Sequence, residues 1–114
     1  MKNKEFIGID VSKNVLDVFI LKVQLHFSVK NSPGGFAKLL ETCCTQLSCQ
    51  VKELFFCFEN TGRYSRHLAV FLDSSGILFT MSPALEIKQS MGFRRGKNDK
   101  MDAKDIAWYA WKNR

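Results

Sequence analysis

The sequence predicts a mixed α/β fold, with a five-stranded sheet in the strand order 3-2-1-4-5 and flanking helices. Two features of the chain support this prediction. Three strand-like segments follow one another near the amino terminus, which is the pattern of an antiparallel meander. Helix-like and strand-like segments then alternate, as expected for two βα crossovers. In this order strand 4 lies beside strand 1 and parallel to it, an arrangement that right-handed crossovers allow.

The first three strands are predicted from apolar runs separated by short polar segments. Residues 5–11 and 15–22 are two such runs, and Ser12-Lys13-Asn14 between them forms a short hairpin turn. Residues 25–30 alternate apolar and polar side chains, which predicts a half-buried third strand.

Helix one is predicted over residues 33–47. Ser32 is a suitable N-cap, and Pro33 would occupy the first helical position. Apolar residues at helical spacing form one face of this segment: Phe36, Leu39, Leu40, Cys43 and Leu47. Residues 53–58 are apolar after the first position, as expected for a central strand that is covered on both faces.

A second helix is predicted after Asn60-Thr61-Gly62, and residues 77–82 are predicted to form the fifth strand. The apolar face of helix two is assigned to four residues: Tyr64, Leu68, Phe71 and Leu72. Pro83 begins a short helix or turn, which leads into a basic stretch over residues 92–98.

A last helix is predicted from about Asp99 to Lys112. Its apolar face consists of small and branched residues: Ala103, Ile106, Ala107 and Ala110. Trp108 lies away from this face, so we expect its side chain to be exposed.

Length and composition predict a single cytoplasmic domain. The chain has 114 residues, of which 46% are hydrophobic and 25% charged, as in ordinary globular proteins. No apolar run approaches the ~20 residues that span a bilayer, and no signal-peptide core is present, so a membrane location is not expected. The cysteines form no C-x-x-C pair, so we expect reduced thiols at all four positions: Cys43, Cys44, Cys49 and Cys57.

The net charge of +6 is concentrated near the carboxyl terminus. Residues 1–87 carry nine Lys and Arg against eight Asp and Glu, whereas residues 88–114 carry eight against three. Such clustering is typical of a polyanion-binding surface, although a solvated basic surface gives the same pattern.

Two carboxylates are predicted to meet at one edge of the sheet. Asp10 stands between apolar residues near the end of strand 1, and Glu59 follows strand 4. If these strands are parallel neighbours, both side chains lie at their carboxyl ends, where open α/β sheets bind their ligands. Each residue also has a structural explanation, Asp10 as a turn former and Glu59 as a carboxylate at a helix start.

A third source of carboxylates is the start of the last helix. Asp99 and Asp102 would share its sheet-facing side, and Asp105 would be turned about 60° from Asp102. Converging carboxylates favour a hard divalent cation, Mg²⁺ or Mn²⁺. The competing explanation is that Asp99 and Asp102 serve as an N-cap and a first-turn acid.

Three ordered motifs resemble the amino-terminal DEDD domain of insertion-sequence-110-type transposases, a group that includes the Piv-like DNA invertases. The motifs are GIDVSK at residues 8–13, ENTGRY at 59–64 and KNDKMDA at 97–103. They extend over nearly the whole chain. Asn98 departs from the family pattern, which more often has Thr before the first Asp of the third motif.

This resemblance implies a ribonuclease H-like (RuvC-like) fold and a DNA-recombining activity. It assigns four acidic residues to a catalytic Mg²⁺ or Mn²⁺ site: Asp10, Glu59, Asp99 and Asp102. DNA is the expected partner, and a structured guide RNA is an additional candidate. Basic residues near the site would hold the nucleic-acid backbone: Lys13, Arg94, Arg95, Lys97 and Lys100.

The resemblance also implies a second, carboxyl-terminal domain that supplies a serine nucleophile, and a homo-oligomeric full-length protein. We therefore expect residues 1–114 to form one catalytic domain that binds metal but does not complete recombination alone.

Two rival interpretations remain open. The same fold could serve as a non-catalytic nucleic-acid-binding domain, in which the carboxylates are too far apart to share a metal. A sugar-kinase-like or actin-like half-domain also begins with a G-I-D strand and a turn. That turn binds ATP phosphates and is usually glycine-rich, whereas residues 11–14 contain no glycine.

Overall fold

The computed structural model describes residues 4–82 and 102–113, which form a five-stranded sheet with helices on both faces. The strands are β1 (Glu5–Val11), β2 (Val15–Ile20), β3 (Leu25–Lys30), β4 (Leu54–Glu59) and β5 (Leu78–Ser82). The helices are α1 (Pro33–Leu47), α2 (Arg63–Ser74) and α3 (Ala103–Lys112), and a short 3-10 turn, Val51–Glu53, precedes β4.

The strand order is β3-β2-β1-β4-β5, so the predicted order 3-2-1-4-5 is confirmed. β1 pairs antiparallel with β2, and β2 with β3. β1 pairs in parallel with β4, and β4 with β5. The α1 and α2 crossovers therefore carry the chain back across the sheet to start each parallel strand at the same edge.

The turn between β1 and β2 is held by hydrogen bonds. The backbone amide and the hydroxyl of Ser12 both donate to the carbonyl of Val15, at 3.0 and 2.8 Å. The Asn31 side chain donates to the carbonyls of Ser12 and Tyr64, both at 2.9 Å. This amide therefore ties the β1–β2 turn to the first turn of α2.

Helix α1 has the predicted limits because its two ends are defined by local chemistry. At the start, the Ser32 hydroxyl accepts a hydrogen bond from the Gly35 amide at 3.2 Å, and Pro33 takes the first helical position. At the end, Ser48 adopts a left-handed conformation with φ 50°. Phe36 and Leu39 of the predicted apolar face are buried.

The two faces of the sheet are covered by different helices. The larger core lies between the sheet and helices α1 and α2, and it includes Ile7, Ile9, Val18, Phe56, Phe58, Leu39, Leu68 and Leu72. Helix α3 covers the opposite face, where Ile106, Tyr109 and Ala110 pack with Phe6 and Cys57. Burial of these apolar side chains is the main favourable contribution to folding.

Several predicted details are corrected. Glu59 is the last residue of β4 rather than the residue after it, because it still pairs with Ser82 of β5. Tyr64 was predicted on the buried face of α2, but its side chain is 38% exposed. Ser65 is buried instead.

The short helix or turn predicted from Pro83 and the basic stretch at residues 92–98 lie outside the described residues. None of the described helices is long and apolar enough to cross a membrane. All four cysteines are free thiols, as predicted.

Candidate functional site

Asp10 and Glu59 are neighbours across the parallel pair of central strands. The strand register aligns Ile9 of β1 with Phe58 of β4. The next residues, Asp10 and Glu59, therefore stand side by side on strands that are about 4.8 Å apart. Both side chains are partly buried. In this register both residues lie at the carboxyl ends of their strands, at one edge of the sheet.

Both carboxylates belong to the sheet face that α3 covers. Gly8, two residues before Asp10, lies against the backbone of α3. Cys57, two residues before Glu59, packs in the cluster that contains Ile106. Because side chains alternate between the faces of a strand, Asp10 and Glu59 share this face with Gly8 and Cys57.

Helix α3 runs antiparallel to β1. Its first turn lies over Gly8, because a Cβ atom placed on Gly8 would be 2.3 Å from the Ala103 carbonyl oxygen. Its later residues, Ile106 and Ala110, pack near Phe6 at the other end of the strand. The amino terminus of α3 therefore points toward the edge of the sheet that carries Asp10.

Asp102 is the N-cap of α3 and not a residue within a helix. Its backbone is extended, with φ −93° and ψ 174°, and its Oδ1 accepts a hydrogen bond from the Asp105 amide at 2.9 Å. The prediction of a helix from about Asp99 that presents Asp102 on its sheet-facing side is therefore wrong for Asp102. Its carboxylate is exposed and satisfies a backbone amide of the first turn.

Asp105 completes a capping box with Asp102, because its carboxylate accepts from the Asp102 amide at 3.5 Å. Burial raises the pKa of Asp105, and the adjacent Asp102 carboxylate raises it further, while the backbone hydrogen bond opposes both. The two acids are therefore mutually repulsive at the start of α3. Capping uses one oxygen of Asp102, and a carboxylate has acceptor capacity beyond one bond.

The loop after Glu59 is held by Ser65. The Ser65 hydroxyl donates to the Gly62 carbonyl and accepts from the Thr61 amide, both at 3.1 Å. Asn60 accepts from the Gly62 amide at 3.1 Å, and its own amide bonds the Ser82 carbonyl at 2.9 Å. The Thr61 hydroxyl is buried and has no hydrogen-bond partner in the described part of the chain.

Of the predicted nucleic-acid contacts, only Lys13 falls in the described residues. It lies exposed in the β1–β2 turn, three residues after Asp10 and at the same edge of the sheet. Five predicted site residues lie outside the described ranges: Arg94, Arg95, Lys97, Asp99 and Lys100.

One carboxylate at this edge was missed by the sequence analysis. Asp17 of β2 is paired directly opposite Asp10 across the antiparallel ladder. Its signal in the sequence is the same as that of Asp10, an acidic residue between apolar neighbours of a strand.

The described carboxylates suit a hard cation by their chemistry, since Asp10, Glu59 and Asp102 provide only oxygen donors. Within residues 4–82 and 102–113, however, no three His, Cys, Asp or Glu side chains are grouped as metal ligands. Asp10 and Glu59 lie on neighbouring strands, while Asp99 belongs to the part not described.

Comparison with known proteins agrees with this architecture. The family model of the insertion-sequence-110-type DEDD domain, described as a transposase, matches residues 7–114. No curated protein matches the chain. The match begins within β1 and includes every later strand and helix. Its order of elements and its sheet are those of the ribonuclease H-like fold, and the chain belongs to the insertion-sequence-110-type transposase family.

Proposed function

We propose that this chain is the metal-dependent catalytic domain of a DNA transposase or site-specific recombinase. The observation that carries the proposal is the pairing of Asp10 and Glu59 on one face of adjacent parallel strands. The amino terminus of α3 points toward the same edge, so Asp102 and the preceding Asp99 are the additional carboxylates of the proposal.

These four acids would hold Mg²⁺ or Mn²⁺. When bound, the cation would polarise the scissile phosphate and stabilise charge on the attacking and leaving oxygens. The protein contributes the fixed position of the donors, because β1 and β4 are central strands with fully buried neighbours such as Ile9 and Phe58. The nucleophile is assigned by the family resemblance to a serine of a further domain.

The DNA backbone would be held by basic side chains around the carboxylates. Lys13 is exposed at this edge, and the basic stretch contributes Arg94, Arg95, Lys97 and Lys100. Contacts of this type neutralise phosphates and do not read sequence. A guide RNA, if used, would be bound by the same electrostatic contacts.

The metal site is tested by titrating the chain with Mn²⁺ and measuring free Mn²⁺ by electron paramagnetic resonance. We expect the wild-type chain to bind, and Asp10→Asn and Glu59→Gln to weaken binding at least about tenfold. Asp73→Asn is the matched control, because Asp73 is an exposed carboxylate of α2, on the opposite side of the sheet. Circular dichroism checks that each variant is folded. Equal affinity in Asp10→Asn and the wild type would remove the metal site from the proposal.

A crystal soaked in MnCl₂ gives the direct test. An anomalous peak within ~2.0–2.3 Å of oxygens from Asp10 and at least one further predicted acid would support shared coordination.

A non-catalytic nucleic-acid-binding domain is the second candidate function. It is favoured by the use of Asp102 as a helix cap and by the absence of a three-ligand group among the described residues. This candidate requires DNA binding without Mn²⁺ binding. The DNA affinity of the Arg94→Ala/Arg95→Ala variant, compared with that of Lys38→Ala on the exposed side of α1, tests the contribution of the basic stretch to DNA binding independently of metal.

A further inference from the structure

Asp17 faces Asp10 across the β1–β2 ladder. The register pairs the two residues directly, between the pairs Ile9–Val18 and Val11–Leu16. Directly opposed residues of an antiparallel pair have Cβ atoms about 4.5–5.5 Å apart, and like charges in such positions are destabilising. The two carboxylates are therefore close enough to share the field of a single cation.

Asp17 also belongs to the sheet face that carries Asp10 and Glu59. Its neighbours Leu16 and Val18 are in the core beneath α1 and α2, whereas Phe19, two residues on, packs against Ala103 and Ala107 of α3. Alternation along β2 then places Asp17 on the α3 face. Asp17 is partly buried there.

Ser28 is a hydrogen-bond partner of Asp17 on the neighbouring strand. It is directly opposite Asp17 on β3, and its hydroxyl donates to Asp17 Oδ1 at 2.6 Å. Within the described residues no Lys, Arg or His forms an ion pair with Asp17. Ser28 is a neutral partner, so this hydrogen bond leaves the charge of Asp17 uncompensated by any described basic group.

We infer that Asp17 supports the metal site electrostatically: its negative charge strengthens cation binding by Asp10 and Glu59. This inference rests on the proposed function and adds a carboxylate outside the four that the family resemblance supplies. Asp17 lies one strand spacing from Asp10 and is partly buried. Its charge therefore acts over a short distance on a divalent cation bound by Asp10, and screening by salt is weak.

A purely structural role makes different predictions. If Asp17 serves only to join β2 to β3 through Ser28, removing either partner of the hydrogen bond should lower stability, and the charge of Asp17 should be irrelevant. Asp17→Asn keeps an oxygen acceptor for Ser28 and removes the charge. Ser28→Ala keeps the charge and removes the hydrogen bond.

The test measures Mn²⁺ affinity and the melting temperature of the metal-free protein for the 114-residue chain and four variants: Asp17→Asn, Ser28→Ala, Asp10→Asn and Asp73→Asn. We expect Asp17→Asn to weaken Mn²⁺ binding roughly tenfold. Its metal-free melting temperature should stay at or above that of the wild type, because a like charge opposite Asp10 is removed. Ser28→Ala and Asp73→Asn should each change the affinity less than about threefold.

The outcomes separate the two levels of interpretation. If Asp17→Asn changes the affinity less than about threefold while Asp10→Asn abolishes binding, the role of Asp17 is overturned and the metal site stands. If Asp17→Asn and Ser28→Ala weaken binding equally and both lower the metal-free melting temperature, Asp17 is structural and the inference is overturned. If the wild-type chain itself binds no Mn²⁺, the proposed function fails and the role of Asp17 fails with it.

Discussion

Gly8 of β1 and Ala107 of α3 are so close that a Cβ atom on Gly8 would lie 2.4 Å from the Ala107 backbone nitrogen. The same atom would lie 2.3 Å from the Ala103 carbonyl oxygen. Both obstacles are backbone atoms, which cannot rotate away. The first turn of α3, and with it Asp102, is therefore placed at the Asp10 edge of the sheet by the absence of a side chain at residue 8.

Gly8→Ala should consequently destabilise the protein by about 2–3 kcal/mol, because α3 must move off the sheet to admit the methyl group. Urea denaturation measures this loss. Gly34→Ala is the matched control, since a Cβ at Gly34 meets no atom within 4 Å and alanine favours the first turn of α1. Gly8→Ala as stable as Gly34→Ala would contradict the close packing of α3 on β1.

Much of the fold was predictable because local chemistry and tertiary packing agree. Helix α1 has an N-cap serine, a first-position proline and a single apolar face, and its limits were predicted without error. The predicted strand order is one that right-handed crossovers allow, and in it Asp10 and Glu59 lie on neighbouring strands.

The errors arose where one residue type suits two positions. In the sequence, Asp102 suits either a helix interior that faces a metal or an N-cap. The hydrogen bonds with Asp105 that identify it as the N-cap are visible only in the three-dimensional structure. Tyr64 has an aromatic ring at helical spacing, yet its side chain is exposed. The smaller Ser65 is buried instead, where its hydroxyl forms hydrogen bonds with the backbone of the preceding loop. Asp17 was not predicted as a site residue, because its position opposite Asp10 depends on the register between β1 and β2.

Two substitutions separate the roles of Asp102. Asn is as good an N-cap as Asp, so Asp102→Asn should leave stability within about 0.5 kcal/mol of the wild type, whereas Asp102→Ala should cost about 1 kcal/mol. If the carboxylate also binds metal, both variants should lose Mn²⁺ affinity to the same extent. Thermal unfolding and Mn²⁺ titration together make the distinction. Wild-type affinity in Asp102→Asn would restrict this residue to capping.

Thr61 offers a stabilising substitution beside the site. Its hydroxyl is buried without a described partner, which costs free energy relative to an apolar group of the same shape. Thr61→Val should therefore raise the free energy of unfolding by about 1 kcal/mol in urea denaturation. The exposed Thr45 of α1 is the control, and its valine variant should change stability little. A loss of stability in Thr61→Val would mean that the hydroxyl is hydrogen-bonded in solution.

Cys57 should make stability fall at alkaline pH. Burial raises the pKa of its thiol from the ordinary 9.0 to about 12, and burial also raises the pKa of Cys43. Above pH 9 the thiol ionises in the unfolded chain while it stays neutral in the folded one, so the unfolded state is favoured. The contribution to stability is complete below pH 9 and is lost as pH rises toward 12, at up to about 1.4 kcal/mol per pH unit for each buried thiol.

The measurement is the difference in unfolding free energy between about pH 8 and about pH 10.5, for the wild type and for Cys57→Ala. Each protein is compared with itself, so the cavity that the alanine leaves affects both pH values alike. The loss in Cys57→Ala should be smaller than in the wild type by about 2 kcal/mol, since one of the buried thiols no longer ionises on unfolding. Cys49→Ala should show a smaller difference, because the Cys49 thiol is only partly buried. Identical losses in Cys57→Ala and the wild type would show that water reaches Cys57, and thus that α3 does not stay closed over β4.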